Sequence, residues 1–427
     1  MKDDERTGLR RDIGFTGSAF LSFNGIVGAG IFALPATLHL QFGNFSPWLF
    51  PIFGLLVLIF ALPFARLASL FSGTGGPVLY AAPFGPLVAF QTGWLYYLAK
   101  VTSLAANAHV FATYAAWLWA PLGGPVGRIV TVVVLIASLA SINVAGIRRA
   151  IQAIDIMTLL KALPLLALAI WGLASAPSLP APGPPPAFSA IEAAALLILY
   201  AFIGFENGVV PAGETRDPGR TIPRAMIGTI VATVMLYFVV QLAYVSVMPA
   251  GGEPDAPLAA FAEILIGPAG AILLALIAMM SVAGNLTGNL ASSPRVTFAM
   301  AEGGMLPRWF GAISARYATP ANSIMFLAAV AIALAVSGSF VWLAVVSTLA
   351  RMIVYAVSIA ALPAAQRRCG VAGGAGMMIL MVAGLAVCGW VALQSAWTSW
   401  AMLGGLLALG LVLSLIARRQ AGSSSAG

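Results

Sequence analysis

The chain of 427 residues is 61% apolar and only 8% charged, with a formal net charge of +8 and a mean hydropathy of +0.99. A soluble domain carries about 25% charged residues, so an ordinary cytosolic enzyme, a disordered protein and a nucleic-acid binder are excluded. Two cysteines, Cys369 and Cys388, and two histidines, His39 and His109, are too few for a disulfide framework or a metal cluster, and neither a metal nor a cofactor is expected. The composition is that of an all-α polytopic membrane protein.

A helix needs roughly 20 apolar residues to cross the ~30 Å hydrocarbon layer. Twelve spans meet that need, near 14–38, 47–71, 87–118, 126–146, 154–175, 190–211, 225–248, 266–292, 321–337, 340–363, 374–394 and 398–417. The first is too long for a cleavable signal and is interrupted by glycines before Pro35. Residues 1–13 precede it, 176–189 form a Pro-rich linker, and 418–427 form a tail whose last residues, 421–427, read as disordered. Lys2, Arg6, Arg10, Arg11, Arg148, Arg149, Arg216, Arg220, Arg224, Arg295, Arg308, Arg316, Arg367, Arg368, Arg418 and Arg419 fall on one side, whereas Arg128 falls on the other. Both termini are therefore expected in the cytoplasm, with the linker outside an inner (cell) membrane. The basic residues are too dispersed for lipid-headgroup recognition.

Span 1 carries Asn24-Gly25-Ile26-Val27-Gly28-Ala29-Gly30 near mid-membrane, and span 6 carries Tyr200-Ala201-Phe202-Ile203-Gly204-Phe205-Glu206-Asn207-Gly208. Either cluster alone suits close packing of unbroken helices. Interrupted segments in corresponding positions of two halves point instead to a secondary transporter's substrate site. A half-helix starting at such a break presents free N–H groups and a positive dipole end, a ready site for an anion.

Phe23–Pro35 (FNGIVGAGIFALP) resembles the first-helix signature of the amino acid–polyamine–organocation transporters. Phe202–Arg224 is similar to their sixth helix and following loop, Ser293–Trp309 to the loop after their eighth helix, and Lys161–Leu165 to their fifth-helix Lys-x-x-Pro-Leu element. The resemblance implies two inverted five-helix repeats, 14–175 and 190–363, then two further helices within 374–417, with helices 1 and 6 discontinuous. It implies amino acid transport by alternating access. By the same resemblance Gly28, Ala29 and Gly30 surround the substrate carboxylate, and the carbonyls of Ile26, Tyr200 and Ile203 receive its ammonium. Tyr200, or alternatively Phe205, closes over the substrate.

Ionisable residues inside spans are costly and default to functional candidates. Lys161 either snorkels to the inner interface or, as in several relatives, projects toward the broken first helix, where it would repel sodium and could carry a coupled proton. Lys100 lies about 20 Å into span 3, on the side expected to face the pocket, and either pairs with Glu206 or attracts an acidic substrate side chain. Glu206 either senses protons or bridges the helix breaks. For Arg351, mid-span in helix 10, an internal ion pair or a carbonyl clamp is expected ahead of substrate contact. Asn107, Asn285, Thr287 and Asn289 read first as interhelical packing residues.

The sequence thus reads as a sodium-independent secondary amino acid transporter, a proton symporter or an exchanger (antiporter), with neutral, apolar substrates favoured. A polyamine or an acidic or cationic amino acid antiporter of the same fold is the alternative. A channel would need rings of polar residues, and a membrane-embedded enzyme a nucleophile–base or carboxylate-rich set. The chain also lacks the Gly-rich phosphate loop of a primary pump. The expected partners are the amino acid, the lipid bilayer and protons; the oligomeric state stays open.

Overall fold

The structure, a computed structural model, describes residues 13–71, 76–145, 150–209, 212–249, 251–252, 254–371 and 373–424. Of the residues that set the expected orientation, Lys2, Arg6, Arg10, Arg11, Arg148 and Arg149 lie outside the described residues, as do the last three residues of the tail.

In chain order the helices are α1 (Phe15–Ile26), α2 (Gly30–Phe42), α3 (Ser46–Leu70), α4 (Pro77–Ala81), α5 (Pro86–Leu118), α6 (Pro125–Ala145), α7 (Ala150–Ser175) and α8 (Phe188–Tyr200). They continue as α9 (Pro218–Val247), α10 (Pro257–Ile266), α11 (Pro268–Glu302), α12 (Ala321–Ser337), α13 (Phe340–Ala360), α14 (Leu362–Arg368), α15 (Ala375–Leu393) and α16 (Trp397–Ser424). Proline opens many of them, at Pro77, Pro86, Pro218, Pro257 and Pro268, because its fixed φ suits the first turn and its missing N–H would have been unpaired there. Among the described residues the single departure from helix, turn and coil is a bridge between Ile13 and Thr215. There Ile13 N donates to Glu214 O at 3.0 Å and Arg216 N to Ile13 O at 2.8 Å.

Nine helical stretches among the described residues are long and apolar enough to cross a bilayer. The span expected near 266–292 is longer than predicted: α11 runs to Glu302, roughly 50 Å at 1.5 Å per residue, and is preceded by the unforeseen short α10. Nor does the tail begin where expected, since α16 stays helical to Ser424. α5 has the length to cross, at 33 residues, yet is absent from the nine because Lys100, Asn107 and other polar residues lower its mean hydropathy. Position explains this. α5 packs against α6, α11, α12 and α13, so it is buried nearly all round, whereas α6 turns Val126, Ile129, Val130 and Val134 outward.

The two glycine-rich stretches are breaks. α1 stops at Ile26 and α2 starts at Gly30, with Val27–Ala29 as a bend between them. α8 stops at Tyr200 and gives way to turns, then to a 3-10 turn at Phe205–Gly208. The breaks lie against one another through their glycines. A methyl group at Gly25 would overlap Gly204 O and Asn207 Nδ2, one at Gly208 would overlap Ser22 Oγ, and one at Gly30 would stand 2.8 Å from Ala201 Cα. Gly204 also sits at φ +116°, a backbone that side-chain-bearing residues rarely adopt.

Candidate functional site

Where the breaks meet, the chain encloses a hollow lined by Gly25, Ile26, Gly28, Ala29, Gly30, Ser103, Asn107, Tyr200, Ile203 and Asn285. It measures about 10 Å³, room for about one water molecule. Larger depressions lie on the outward face of α7, around Ile170 and Trp171, with Ser175 as the one hydroxyl among their apolar lining.

The two helix ends at the hollow have opposite polarity. α2 begins there, and the N–H groups of Ala29, Gly30 and Ile31 find no acceptor among the described residues. With the positive end of the α2 dipole behind them they could receive an anion. α8 ends there with its negative dipole end, and Ile203 O accepts no hydrogen bond among the described residues. The other two carbonyls expected to be free are not. Ile26 O accepts from Gly28 N at 2.9 Å and from Tyr237 Oη at 3.4 Å, and Tyr200 O accepts from Ile203 N at 3.4 Å. The bend at Val27–Ala29 doubles back tightly enough for Gly28 to reach the carbonyl two residues earlier, which removes Ile26 from the open set.

A buried hydrogen-bonded chain of side chains runs from the hollow wall. Tyr200 Oη donates to Asn107 Oδ1 at 2.8 Å, Asn107 Nδ2 to Asn285 Oδ1 at 2.7 Å, and Asn285 Nδ2 to Asn24 O at 2.8 Å and Gly25 O at 3.1 Å. Ser103 Oγ stands 3.5 Å from Tyr200 Oη. On the far side of α1, Lys161 Nζ donates to Asn24 Oδ1 at 2.5 Å, to Val27 O at 2.7 Å and to Asn24 O at 3.4 Å. Lys161 is fully buried; it does not snorkel but reaches the break in α1.

Beside the hollow lies a second polar cluster. Glu206 Oε1 accepts from Arg351 Nε at 3.1 Å, and its Oε2 accepts from Tyr355 Oη at 2.8 Å and Gly204 N at 3.0 Å. Arg351 also donates to Ser347 Oγ at 2.5 Å and Ala99 O at 3.3 Å. The expected ion pair and carbonyl clamp are thus both present, and the carboxylate ties the α8 break to α13. Lys100 is not the partner of Glu206: its ammonium donates to the neighbouring Asn207 Oδ1 and lies 5.1 Å from the Tyr96 ring centre. Nor does it line the hollow. Phe205 also points elsewhere, into an aromatic group with Phe60, Phe64 and Tyr355, which leaves Tyr200 as the aromatic residue of this segment at the hollow wall.

Residues 13–399 match the amino acid permease family. The chain belongs to that family. It is 28% identical over 335 residues, 77% of this chain and 74% of the relative, to an uncharacterised transporter of Mycobacterium tuberculosis. It is 27% identical over 322 residues, 71% of each chain, to the serine/threonine exchanger SteT of Bacillus subtilis. Family membership, with the apolar helices, makes it a multi-pass membrane transporter for amino acids and not an enzyme.

The hollow of this permease has a more polar wall than the glycines and aromatics of its breaks suggest, since Ser103, Asn107 and Asn285 reach it from α5 and α11. Ser103 and Asn107 are four residues apart, the spacing that puts two side chains on one helix face, and that spacing was the one available signal. Replacing Lys100 with methionine should leave the ranking of competing amino acids unchanged, because the ammonium is held by Asn207 outside the hollow. Competition uptake checks this, and a reordered ranking would put the ammonium against the substrate.

Proposed function

We propose that this permease moves small neutral amino acids across the cell membrane by alternating access, independently of sodium and with a proton carried on Lys161. The observation that carries the reading is the pair of opposed helix ends: unpaired N–H groups at Ala29–Ile31 for a carboxylate, and the Ile203 carbonyl with the α8 C-terminus for an ammonium. A zwitterion satisfies both without a buried formal charge being left over. The substrate site comprises Ala29, Gly30, Ile203 and Tyr200, with Ile26 and Gly28 as wall, because the Gly28 N–H expected to face the carboxylate is already bonded to Ile26 O. Lys100, Glu206 and Phe205 support it from behind.

Twelve passes accommodate the chain when α1 with α2, and α8 with the turns after it, each count as one. α1 and α2 have 12 and 13 residues, too few to cross separately against the roughly 20 required. The breaks then open two inverted five-helix units, 14–175 and 190–363, with both termini cytoplasmic. The hollow holds about one water, smaller than any amino acid, so substrate entry requires the surrounding helices to part. Sodium independence follows from Lys161. Its ammonium occupies Asn24 O, Asn24 Oδ1 and Val27 O, the oxygens a metal ion at this bend would need, and it repels a second cation.

The polar wall favours small substrates, among them those with a hydroxyl group, and the serine/threonine exchange named for the Bacillus relative supports that choice. The same relative, named an exchanger, favours exchange as the second reading. A thermal-shift screen of the purified protein against the twenty amino acids, at two pH values with and without sodium, tests substrate and ion together, because a ligand that binds the native state stabilises it by mass action. The expected result is a shift with serine, threonine or alanine that sodium does not alter. In proteoliposomes Lys161→Ala should lose the stimulation of uptake by an inward proton gradient. Uptake that vanishes without sodium, or a Lys161→Ala protein with unchanged proton dependence, overturns the reading.

A further inference from the structure

One main-chain oxygen serves two masters on opposite sides of α1. Asn24 O accepts from Lys161 Nζ at 3.4 Å on the α7 side and from Asn285 Nδ2 at 2.8 Å on the α11 side. Asn285 holds the adjacent Gly25 O as well, at 3.1 Å. Its own Oδ1 accepts from Asn107 Nδ2 at 2.7 Å, whose Oδ1 accepts from Tyr200 Oη at 2.8 Å. Asn107, Tyr200 and Asn285 all line the hollow. Every donor in this chain points the same way, from Tyr200 to Asn107 to Asn285 to the α1 break, where Lys161 completes it from the other side. An ideal Cβ on Gly28 would lie 3.1 Å from Asn285 Nδ2, so the amide also packs on the bend that leads to the unpaired N–H groups.

We infer that Asn285 is the positioning residue that ties substrate occupancy of the hollow to the charge on Lys161. A charged Lys161 draws Asn24 O, Asn24 Oδ1 and Val27 O toward α7 and holds the bend in the shape that presents Ala29–Ile31 to a carboxylate. Asn285 reads the position of that bend through Asn24 O and Gly25 O and passes it to Asn107 and Tyr200, which meet the substrate. When the ammonium loses its proton, its pull on Asn24 O and Val27 O weakens, the bend relaxes and the amide chain shifts with it. Proton and substrate therefore favour each other's binding, as thermodynamic reciprocity demands of two coupled ligands.

Among the described side chains no other charge reaches the α1 break. α1 carries no ionisable side chain. From the elements packed on α7, the titratable groups are Arg220, Arg224, Tyr237 and Tyr244 of α9, Glu263 of α10, and Arg295 and Glu302 of α11. Tyr237 reaches Ile26 O. Among the described residues none of these groups pairs with Lys161. On α7 itself, the Asp155 side chain lies outside those described.

The inference rests on the proposed role of Lys161, and the test separates the two. L-threonine serves as the probe, its equilibrium binding to the full-length purified protein being measured from pH 5.5 to pH 9. For the unmodified protein affinity should fall by about tenfold as pH rises, a typical size for coupled sites. Lys161→Ala and Asn285→Ala should both give a flat profile. Asn289→Ala is the control: Asn289 Nδ2 donates to the same Asn285 Oδ1 at 3.1 Å but, among the described residues, bonds no atom of α1, so its loss should leave the slope intact. Should Asn285→Ala fail to fold, Asn107→Val cuts the chain one link further on and should flatten the profile equally. A full slope in Asn285→Ala or Asn107→Val beside a flat Lys161→Ala overturns the relay and leaves Lys161 standing. A full slope in Lys161→Ala, or no slope in the unmodified protein, overturns the lysine's role and the relay with it.

Discussion

Replacing Arg351 with methionine should destabilise the permease by about 3–5 kcal/mol, the cost of leaving one member of a buried ion pair without its partner. Glu206 and Arg351 are both buried, with side-chain exposures of 0% and 3%, so water cannot take the place of the guanidinium. Tyr355 Oη and Gly204 N still donate to the carboxylate, but neither cancels its charge. Adding Glu206→Gln to Arg351→Met should recover most of the loss, because a neutral amide can keep the Tyr355 contact without a counter-charge. Thermal unfolding of the four proteins in detergent, analysed as a double-mutant cycle, checks this. A double variant no more stable than Arg351→Met alone would show that the two side chains do not act as a unit.

The second large effect concerns Gly25. An alanine methyl there would overlap Gly204 O and Asn207 Nδ2. The first of these is main chain, held in a left-handed conformation at φ +116°, so it has no rotamer to change. Gly25→Ala must push the two breaks apart by on the order of 1 Å, and misplacement on that scale costs about 100-fold in rate where geometry is set for function. Uptake should drop by about that factor while the protein still reaches the membrane. Gly389→Ala in α15, where nothing lies within 4 Å, is the control and should transport normally. Normal uptake by Gly25→Ala would mean that close approach of the breaks is not needed.

Much of this arrangement is legible in the sequence because it depends on local chemistry. Proline at helix starts and apolar runs of the right length bring most predicted spans within a few residues of the observed helices. Glycine density at Gly25–Gly30 and Gly204–Gly208 marks the two breaks. The site is less legible because its partners come from far along the chain. Asn107 and Asn285 are 178 residues apart, and nothing local distinguishes them from the interhelical packing asparagines of any membrane protein. Of the two expectations for Lys100, the pairing with Glu206 gives way to a bond with the next residue, Asn207, because adjacent positions separate in direction once the helix gives way to a 3-10 turn. The same turn aims Phe205 at Phe60 and Phe64, away from the hollow. Occupancy of Ile26 O depends on the exact path of a three-residue bend, which composition does not encode.

The polar character of α5 has a consequence for how this protein is made. A lysine at the centre of a helix entering the bilayer costs about 2.5–3.5 kcal/mol on insertion scales. The elements that receive Lys100 and shield the rest of α5, namely the stretch after α8 together with α11 and α13, are synthesised long after it leaves the ribosome. That cost predicts that α5 settles fully into the lipid only once its later neighbours arrive. Chains truncated before α8 should leave α5 uncommitted to the lipid and open to degradation.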